Sequence, residues 1–477
     1  MEKQNGYDAV VVGAGPNGLA AAVRLARQGL GVLLVEANET IGGGMRSAEL
    51  TRPDFVHDRC SAIHPMAVAS PFFRSLDLGR YGLEWIHPEV PLAHPLDGGR
   101  AAVLSRSLDA TCDSLGVDGS SYRNVMEPLV THFDRLTSNI LRPLLRVPDD
   151  VLFMGRFGLR ALQPARGFSR RTFETEEARA LFAGLAAHSL LPLEAISSSA
   201  IGLVLGAAGH AVGWPMPKGG AQQIAEALGH VFRELGGEIV TGRRVEKLRE
   251  IPSAPAVLLD VTPRQFFNMT DRPLPSAYTR WLQRFEYGPG VFKIDYAMDE
   301  PVPWSAAVCG RAGTVHVGGS LQEIAASERA VSKGRHPERP YVLAAEHSRF
   351  DASRAPEGKH TLWAYCHVPN GSTVDVTERI EAQIERFAPG FRDCIGERHV
   401  MNTADLQRDN ANLIGGDING GSAALRQLLV RPVPTPTPYR TPLEGVYLCS
   451  ASTPPGGGVH GMCGFHAAEA ALRDVFT

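Results

Sequence analysis

The stretch Ala9-Val10-Val11-Val12-Gly13-Ala14-Gly15-Pro16-Asn17-Gly18 joins an apolar run to a glycine-rich turn, and a helical pattern follows it directly. We interpret Gly13 as the residue of a tight turn and Gly15 as the point where a pyrophosphate approaches the backbone. Gly18 would let the helix pack close to the strand. The start of that helix offers free N–H groups and the positive end of the helix dipole to phosphates. The pattern therefore predicts a dinucleotide-binding unit.

The next predicted strand, Gly31 to Val35, ends in Glu36, whose carboxylate can accept hydrogen bonds from a ribose diol. A glycine motif alone is a weak signal, and a structural glycine turn is the alternative. A motif placed between a strand and a helix, with an acid at the end of the following strand, is specific. Dinucleotide binding is therefore favoured.

A second glycine cluster, Gly42-Gly43-Gly44, comes shortly after Glu36. A glycine doublet at this position is similar to the second motif of two-domain flavoproteins, where it approaches the FAD diphosphate. No second GxGxxG follows a predicted strand elsewhere, so we do not expect a built-in NAD(P)H domain. The sequence favours FAD as the cofactor.

A third glycine-rich turn, within Tyr447 to Gly461, precedes the closing alanine-rich helix. Backbone N–H groups at a helix start suit the negative charge of reduced flavin. A plain loop before a helix is the alternative. The residues predicted to contact FAD are Gly13, Gly15, Pro16, Asn17, Gly18, Glu36, Ala37, Gly42, Gly43, Gly44, Met45, Arg46, Val245, Ser450, Gly457, Gly458 and Val459.

These motifs are far apart in the chain, which predicts an α/β fold whose Rossmann-like FAD-binding domain is assembled from discontinuous segments. We expect residues 1–90, 215–265 and 400–477 to form that domain. Residues 91–214 and 266–399 would form an α+β substrate domain with a mixed sheet and a helical part. The charge-free stretch from Ala195 to Pro217 is interpreted as a buried helix, with a membrane span as the alternative.

Composition restricts the classes of function. The 477 residues carry a formal charge of -3, which gives no reason to expect nucleic-acid binding. Seven scattered cysteines form no CxxC pair and predict free thiols in a reducing compartment, without a metal site. A strand-like run begins almost at once, so no targeting peptide is expected and a cytoplasmic location is predicted.

Taken together, the chain resembles the phytoene-desaturase-like flavoproteins of the amine-oxidase-like superfamily. It is most similar to the branch of pyridine nucleotide-disulphide oxidoreductase domain-containing proteins. Besides the glycine motifs, the resemblance rests on Phe55 to Asp58, on the Trp214 to Gly220 turn and on Pro301 to Trp304. It implies FAD-dependent removal of two hydrogens from a largely apolar small molecule, giving C=C or C=N, with oxygen or a quinone as electron acceptor.

The resemblance also implies site residues. In amine-oxidase relatives a strand lysine holds a water beside flavin N5, which makes Lys293 the candidate here; a solvent-facing lysine is the alternative. Many relatives have an arginine where this chain has Gly44, and Arg46 is a possible substitute. No cysteine lies in the segment where monoamine oxidases attach flavin covalently, so FAD is expected to bind reversibly. Further catalytic candidates are His460, His466 and His367, and the substrate-pocket candidates are His64, Trp304 and Tyr365.

The segment from Arg142 to Arg171 contains seven arginines against two aspartates, with leucine, phenylalanine and methionine between them. One interpretation is peripheral contact with an anionic membrane surface through 142–171. The alternatives are a solvated basic face and a contact between subunits. The sequence does not indicate the oligomeric state or the identity of the substrate.

Two other classes of function remain open from the sequence. A non-redox flavoenzyme of the carotenoid isomerase type would have the same motifs. A flavin-fold scaffold protein that has lost catalysis would keep the fold, because fold sets function only loosely.

Overall fold

Two large sheets organise the chain in a computed structural model, which describes residues 6–477. In chain order the strands of this part are β1 Ala9–Val12, β2 Val32–Val35, β3 Ser47–Glu49, β4 Val56–Asp58, β5 Trp85–Ile86, β6 Val90–Leu96, β7 Arg100–Leu104, β8 Met216–Pro217, β9 Glu238–Val240, β10 Ala256–Leu259, β11 Gly290–Met298, β12 Ala312–Val317, β13 Val342–Ala345, β14 His360–Val368, β15 Ile395–Met401 and β16 Val446–Leu448. The α-helices are α1 Pro16–Ala26, α2 Pro65–Ala69, α3 Pro71–Arg74, α4 Leu108–Ser114, α5 Gly119–Thr131, α6 Phe133–Ile140, α7 Val151–Ala161, α8 Ala165–Thr172, α9 Glu176–Ala187, α10 Ser198–Ala211, α11 Gln222–Glu234, α12 Pro263–Met269, α13 Ser276–Gln283, α14 Leu321–Ser332, α15 Thr377–Phe387, α16 Thr403–Asp409, α17 Leu425–Leu429 and α18 Met462–Val475.

The first sheet is parallel and has the strand order β16-β10-β1-β2-β9. Its central strands β1 and β2 are short apolar runs that are buried throughout, as expected for strands covered on both faces. Helices α11 and α18 each pack on α1 beside this sheet. Strands from three distant parts of the chain therefore meet at one edge, where their carboxyl ends form the crevice in which such sheets bind ligands.

The second sheet is mixed, with the order β15-β11-β14-β13-β12-β6-β7 and one parallel pair, β12 with β6. Helix α9 packs against β6 and β7 and also contacts α8 and α10 of the helical part. Helix α15 packs against β12 and β13. The arrangement confirms the predicted α/β class with a Rossmann-like sheet of discontinuous strands and a mixed sheet. The predicted domain boundaries stay a prediction; β15 crosses the one proposed between residues 399 and 400.

The charge-free stretch forms α10, most of which is buried against α9 and α5. This confirms the interpretation as a buried helix. No helix within residues 6–477 combines the length and the apolar character that crossing a bilayer requires.

Candidate active site

A cavity of about 610 Å³ runs from the crevice of the parallel sheet to the mixed sheet. This volume lies within the usual range for small-molecule and cofactor sites. Most of the predicted cofactor residues line it, as do Lys293, His460, His64 and Tyr365 among the other candidates. The predicted cofactor residues on the wall are Gly13, Gly15, Pro16, Asn17, Glu36, Ala37, Gly43, Gly44, Val245, Ser450, Gly457, Gly458 and Val459.

The first glycine turn is shaped by close backbone packing. The Gly13 N–H donates to the Val35 carbonyl at 2.8 Å, which ties the turn to the neighbouring strand β2. A Cβ on Gly18 would lie 1.8 Å from the Gly13 carbonyl oxygen, so this position accepts no side chain. Gly18 therefore acts behind the cavity wall, as the contact between helix and strand that the sequence predicted.

Two glycines from different motifs meet over the cavity. A Cβ on Gly43 would lie 2.9 Å from the Gly15 Cα, and Gly43 has a φ of +56°. The adjacent Gly44 has more room, because its nearest neighbours would be the Cβ and Sγ atoms of Cys60 at 3.9 Å. The two backbones form a cradle free of side chains, which is what a diphosphate needs in order to approach main-chain N–H groups.

Arg46 does not reach the cavity wall. Its guanidinium donates to the Gly43 carbonyl at 3.1 Å and to the carbonyl and carboxylate of Asp409 at 2.8 and 2.5 Å. Arg46 therefore ties the second glycine cluster to the C-terminal end of α16. Gly42 and Met45, also predicted to contact FAD, likewise lie off the wall.

Two acids, Glu36 and Asp260, lie at the end of the cavity that the first two glycine motifs form, which we call the nucleotide end. Glu36 accepts the backbone N–H groups of Ala14 and Asn38, both at 2.8 Å. Asp260 accepts the Gly18 N–H at 3.0 Å, and burial raises the pKa of its carboxyl to about 7. The sequence analysis missed Asp260, although it follows strand β10 as Glu36 follows β2, and that shared pattern was the available signal.

The third glycine turn presents Ser450, Gly457, Gly458 and Val459 to the cavity. His460 follows on the wall, and its Nδ1 accepts the Met462 N–H at 3.0 Å at the start of α18. Burial lowers the pKa of this imidazole to about 4, so it is neutral at physiological pH. His460 thus caps the helix as a neutral acceptor.

Lys293 lies on the wall of the cavity, in strand β11. Its ammonium pairs with the carboxylate of the fully buried Asp295. Burial opposes the ionisation of Asp295, but the Lys293 charge and hydrogen bonds outweigh it and hold the pKa of that carboxyl below its usual value. His57 and His399 approach the same carboxylate at 3.7 and 3.9 Å. Lys293 therefore faces the cavity and not solvent.

Of the other candidate residues, some line the cavity and some do not. His64 and Tyr365 lie on the wall, and Tyr365 is paired with Lys293 across β11 and β14. His367 points instead toward Glu328, at 2.8 Å in a buried pair, and His466 bonds the Leu141 carbonyl at 3.0 Å. Trp304 packs against the core between the mixed sheet and α15. The structure thus does not bring His367, His466 or Trp304 to the cavity.

The rest of the cavity is lined mostly by apolar and aromatic side chains, and we call it the apolar chamber. Its lining was largely missed from the sequence, because no local motif marks it; only Trp363, two residues from Tyr365 on the same strand face, carried a signal. These residues are Ile140, Leu141, Leu144, Met154, Phe157, Ile201, Val204, Leu205, Trp214, Val291, Leu343, Trp363, Leu406, Leu413 and Ile418. His188 also lies there, and its Nε2 is 2.9 Å from that of His316.

Comparison with known proteins agrees with this geometry. Residues 11–76 match the model of the NAD(P)-binding Rossmann-like domain. The chain is 26% identical to pyridine nucleotide-disulfide oxidoreductase domain-containing protein 2 of Rattus norvegicus, over 98% of this chain and 94% of that protein. It is 25% identical to all-trans-zeta-carotene desaturase of Myxococcus xanthus, over 94% and 90%.

Among solved structures, wild-type putrescine oxidase superposes with a TM-score of 0.63 at 17% identity, over 98% of this chain and 99% of that one. At that identity the match shows a shared fold. The chain therefore has the fold of a Rossmann-like FAD/NAD(P)-binding oxidoreductase, and the pyridine nucleotide-disulfide oxidoreductase domain-containing proteins are similar to it over the full length.

Proposed function

We propose that this protein binds FAD without a covalent bond and uses it to remove a hydride from a C–H group of an uncharged, largely apolar small molecule. The observation that carries the proposal is the single cavity that joins a glycine cradle to an apolar chamber and that has Lys293 on its wall. Such continuity lets one end hold a cofactor while the other end positions a substrate against it.

The residues present fit FAD. A Cβ would fill the cradle between Gly15 and Gly43, Glu36 stands where a ribose diol binds in such folds, and a further glycine turn faces the cavity from before α18. Cys60 is the cysteine on this wall within residues 6–477, and burial raises the pKa of its thiol to about 11. A protonated thiol is a poor nucleophile, which supports reversible binding.

The charges on the wall favour a neutral substrate. Within the described part of the chain, the carboxylates on the wall are Glu36 and Asp260, and both lie at the nucleotide end. An ammonium substrate would meet no carboxylate in the apolar chamber and would lie near the Lys293 cation. Burial of an unpaired charge is costly. We therefore favour formation of C=C over oxidation of an amine to C=N.

The protein's own groups would act by positioning and by excluding water. When bound, FAD supplies the acceptor for the hydride. The proton lost from the neighbouring carbon as the C=C bond forms would pass to water. Aromatic walls such as Trp363 and Tyr365 would hold the substrate in place, and Lys293, fixed by Asp295, would orient a water molecule beside the cofactor. Oxygen or a quinone is the proposed final electron acceptor, and a cytoplasmic location stays a prediction.

The test begins with the absorption spectrum of the purified protein and with acid precipitation, which should release FAD into the supernatant. Anaerobic mixing with a neutral polyunsaturated isoprenoid should then bleach the flavin, while an aliphatic amine of similar length should not. Bleaching by the amine alone would refute the proposed substrate class. Double-bond isomerisation without bleaching would identify a non-redox isomerase, and a folded protein that takes up no FAD would point to a scaffold.

A further inference from the structure

The apolar chamber contains a histidine with one ring nitrogen open to the cavity. His188 directly follows α9 and lines the cavity, and its ring packs against the rings of Trp214 and His316 at centroid distances of 5.7 and 4.9 Å. Its Nδ1 forms no hydrogen bond within residues 6–477, and it is not among the polar atoms that packing seals off there. This nitrogen is therefore accessible to a ligand in the chamber.

The hydrogen bond behind His188 determines which of its nitrogens carries the proton. Burial lowers the pKa of His188 and of His316, so both rings are neutral and each has one donor and one acceptor nitrogen. The two Nε2 atoms form one hydrogen bond, and the Nδ1 of His316 is buried without a partner in the described part of the chain. Because buried N–H groups without a partner are rare, the proton of His316 lies on Nε2. His188 then accepts through Nε2, and its Nδ1–H is a donor to the chamber.

The register of the mixed sheet places this donor far from Lys293. One row of cross-strand partners on β11, β14, β13 and β12 consists of Lys293, Tyr365, Leu343 and His316. Neighbouring strands lie about 4.8 Å apart, so the backbones at the two ends of this row are about 14 Å apart. His188 packs on His316 and therefore marks the end of the chamber that is remote from Lys293.

The remote end of the chamber has no counter-charge for an ionised group. Within residues 6–477, the cations on the cavity wall are Lys293, Arg243, Arg244 and Arg431, and none of them belongs to α9, α10 or β12, the elements around His188. The carboxylates on the wall lie at the nucleotide end. An ammonium or carboxylate group beside His188 would thus be buried unpaired, which is costly. A single neutral donor suits a neutral oxygen instead.

We propose that His188 binds a neutral oxygen of the substrate at the end of the apolar chamber that is remote from Lys293. The substrate is then an apolar chain with a hydroxyl, ether or carbonyl oxygen about 14 Å from the C–H group that reacts. The place of the reacting C–H group rests on the proposed function, whereas binding of the oxygen does not. His316 is a positioning residue, because its Nε2–H keeps the proton of His188 on Nδ1.

The experiment is calorimetric titration of the holoenzyme, its flavin reduced with dithionite so that no hydride transfer occurs. The ligands are farnesene, farnesol and the methyl ether of farnesol. We expect the parent to bind both oxygen-bearing ligands at least as tightly as farnesene, because the hydrogen bond offsets the desolvation of the oxygen. His188→Phe should bind these two ligands about tenfold more weakly and should bind farnesene with unchanged affinity.

Two further variants separate positioning from stability. His316→Phe leaves His188 in place but no longer fixes its proton on Nδ1, so it should weaken the ether about threefold more than the alcohol, which can also donate. The matched control is His210→Phe, since His210 is a buried histidine off the cavity wall whose Nε2 is 2.9 Å from the Tyr122 hydroxyl. This control should lower the melting temperature and leave all three ligand affinities unchanged.

Three results would each overturn the proposal: no binding of any of the three ligands, weaker binding of both oxygen-bearing ligands than of farnesene by the parent, or affinities that His188→Phe leaves unchanged. In the last case another group, such as the Tyr365 hydroxyl, would hold the oxygen. If His188→Phe does not fold, the three affinities of the parent decide alone. Farnesol that binds through His188 but never bleaches the oxidised flavin would count against the proposed function and not against this site.

Discussion

Adding one methyl group at Gly43 should weaken FAD binding, and it should destabilise the fold far more than adding one at the adjacent Gly44. A Cβ at Gly43 would lie 2.9 Å from the Gly15 Cα, in backbone with a φ of +56°. A non-glycine residue in the left-handed region costs about 1–2 kcal/mol, and overpacking against rigid neighbours typically costs about 1–3 kcal/mol. Gly43→Ala should therefore lower the free energy of unfolding by about 2–5 kcal/mol.

FAD affinity should fall as well, because relief of the clash moves the second glycine cluster away from Gly15. We expect a loss of about tenfold or more, which corresponds to about 1.4 kcal/mol. Gly44→Ala is the matched control: its Cβ would meet Cys60 at the ordinary distance of 3.9 Å. Its melting temperature should stay close to that of the parent; it is a control for stability only, because Gly44 itself lines the cavity.

The assay is titration of apoprotein with FAD, followed by flavin fluorescence, together with urea unfolding of both variants. Similar FAD affinities for Gly43→Ala and the parent would refute the reasoning, since the cradle would then not depend on contact between the two backbones. Equal losses of stability in both variants would refute it too, because they would point to a general sensitivity of this segment.

Other predictions follow from buried charge. Lys293→Met should lower the free energy of unfolding in urea by about 3–5 kcal/mol because it leaves the buried Asp295 carboxylate without its partner. Adding Asp295→Asn should restore much of this loss, and a double variant whose loss equals the sum of the two single losses would contradict the prediction. Since the carboxyl of Asp260 has a pKa of about 7 beside Gly15, FAD affinity should fall as pH rises through this value, and Asp260→Asn should abolish the dependence; an equal pH dependence in both proteins argues against it. Burial lowers the pKa of His188 to about 3 and that of His316 well below its usual range, whereas the unfolded chain takes up these protons below about pH 6.5. Stability should therefore fall with decreasing pH from there toward about pH 3, and a melting temperature that is the same at about pH 7 and about pH 5 would exclude this linkage.

The nucleotide end of the site was readable from the sequence because its determinants are local. The turn from Gly13 to Gly18 and the acid Glu36 follow short apolar strands, and each pattern fits within one strand–turn–helix unit. Asp260 likewise follows a short apolar strand, β10. It was missed because the strand itself was not recognised as the neighbour of β1.

The substrate end was less readable because long-range pairing assembles it. Lys293 could be named only through the family resemblance. Its partner Asp295 lies two residues along the same face of β11, so the alternation of the strand carried a signal that was not used. Trp363, Tyr365 and His367 share one face of β14, yet Trp363 and Tyr365 reach the cavity and His367 does not. Which residues of a strand face reach a cavity depends on what packs over that face, and no local pattern carries that information.

The packing of α18 on α1 has a consequence for biosynthesis. A Cβ on Gly464 of α18 would lie 1.7 Å from the Asn17 carbonyl oxygen of α1. Helix α18 therefore packs directly on the helix that begins at the first glycine motif. Strand β16 likewise completes the parallel sheet beside β10. The nascent chain thus exposes the first glycine turn long before its structural partners leave the ribosome. Cofactor loading should accordingly follow release of the chain, and newly made protein should depend on chaperones until then.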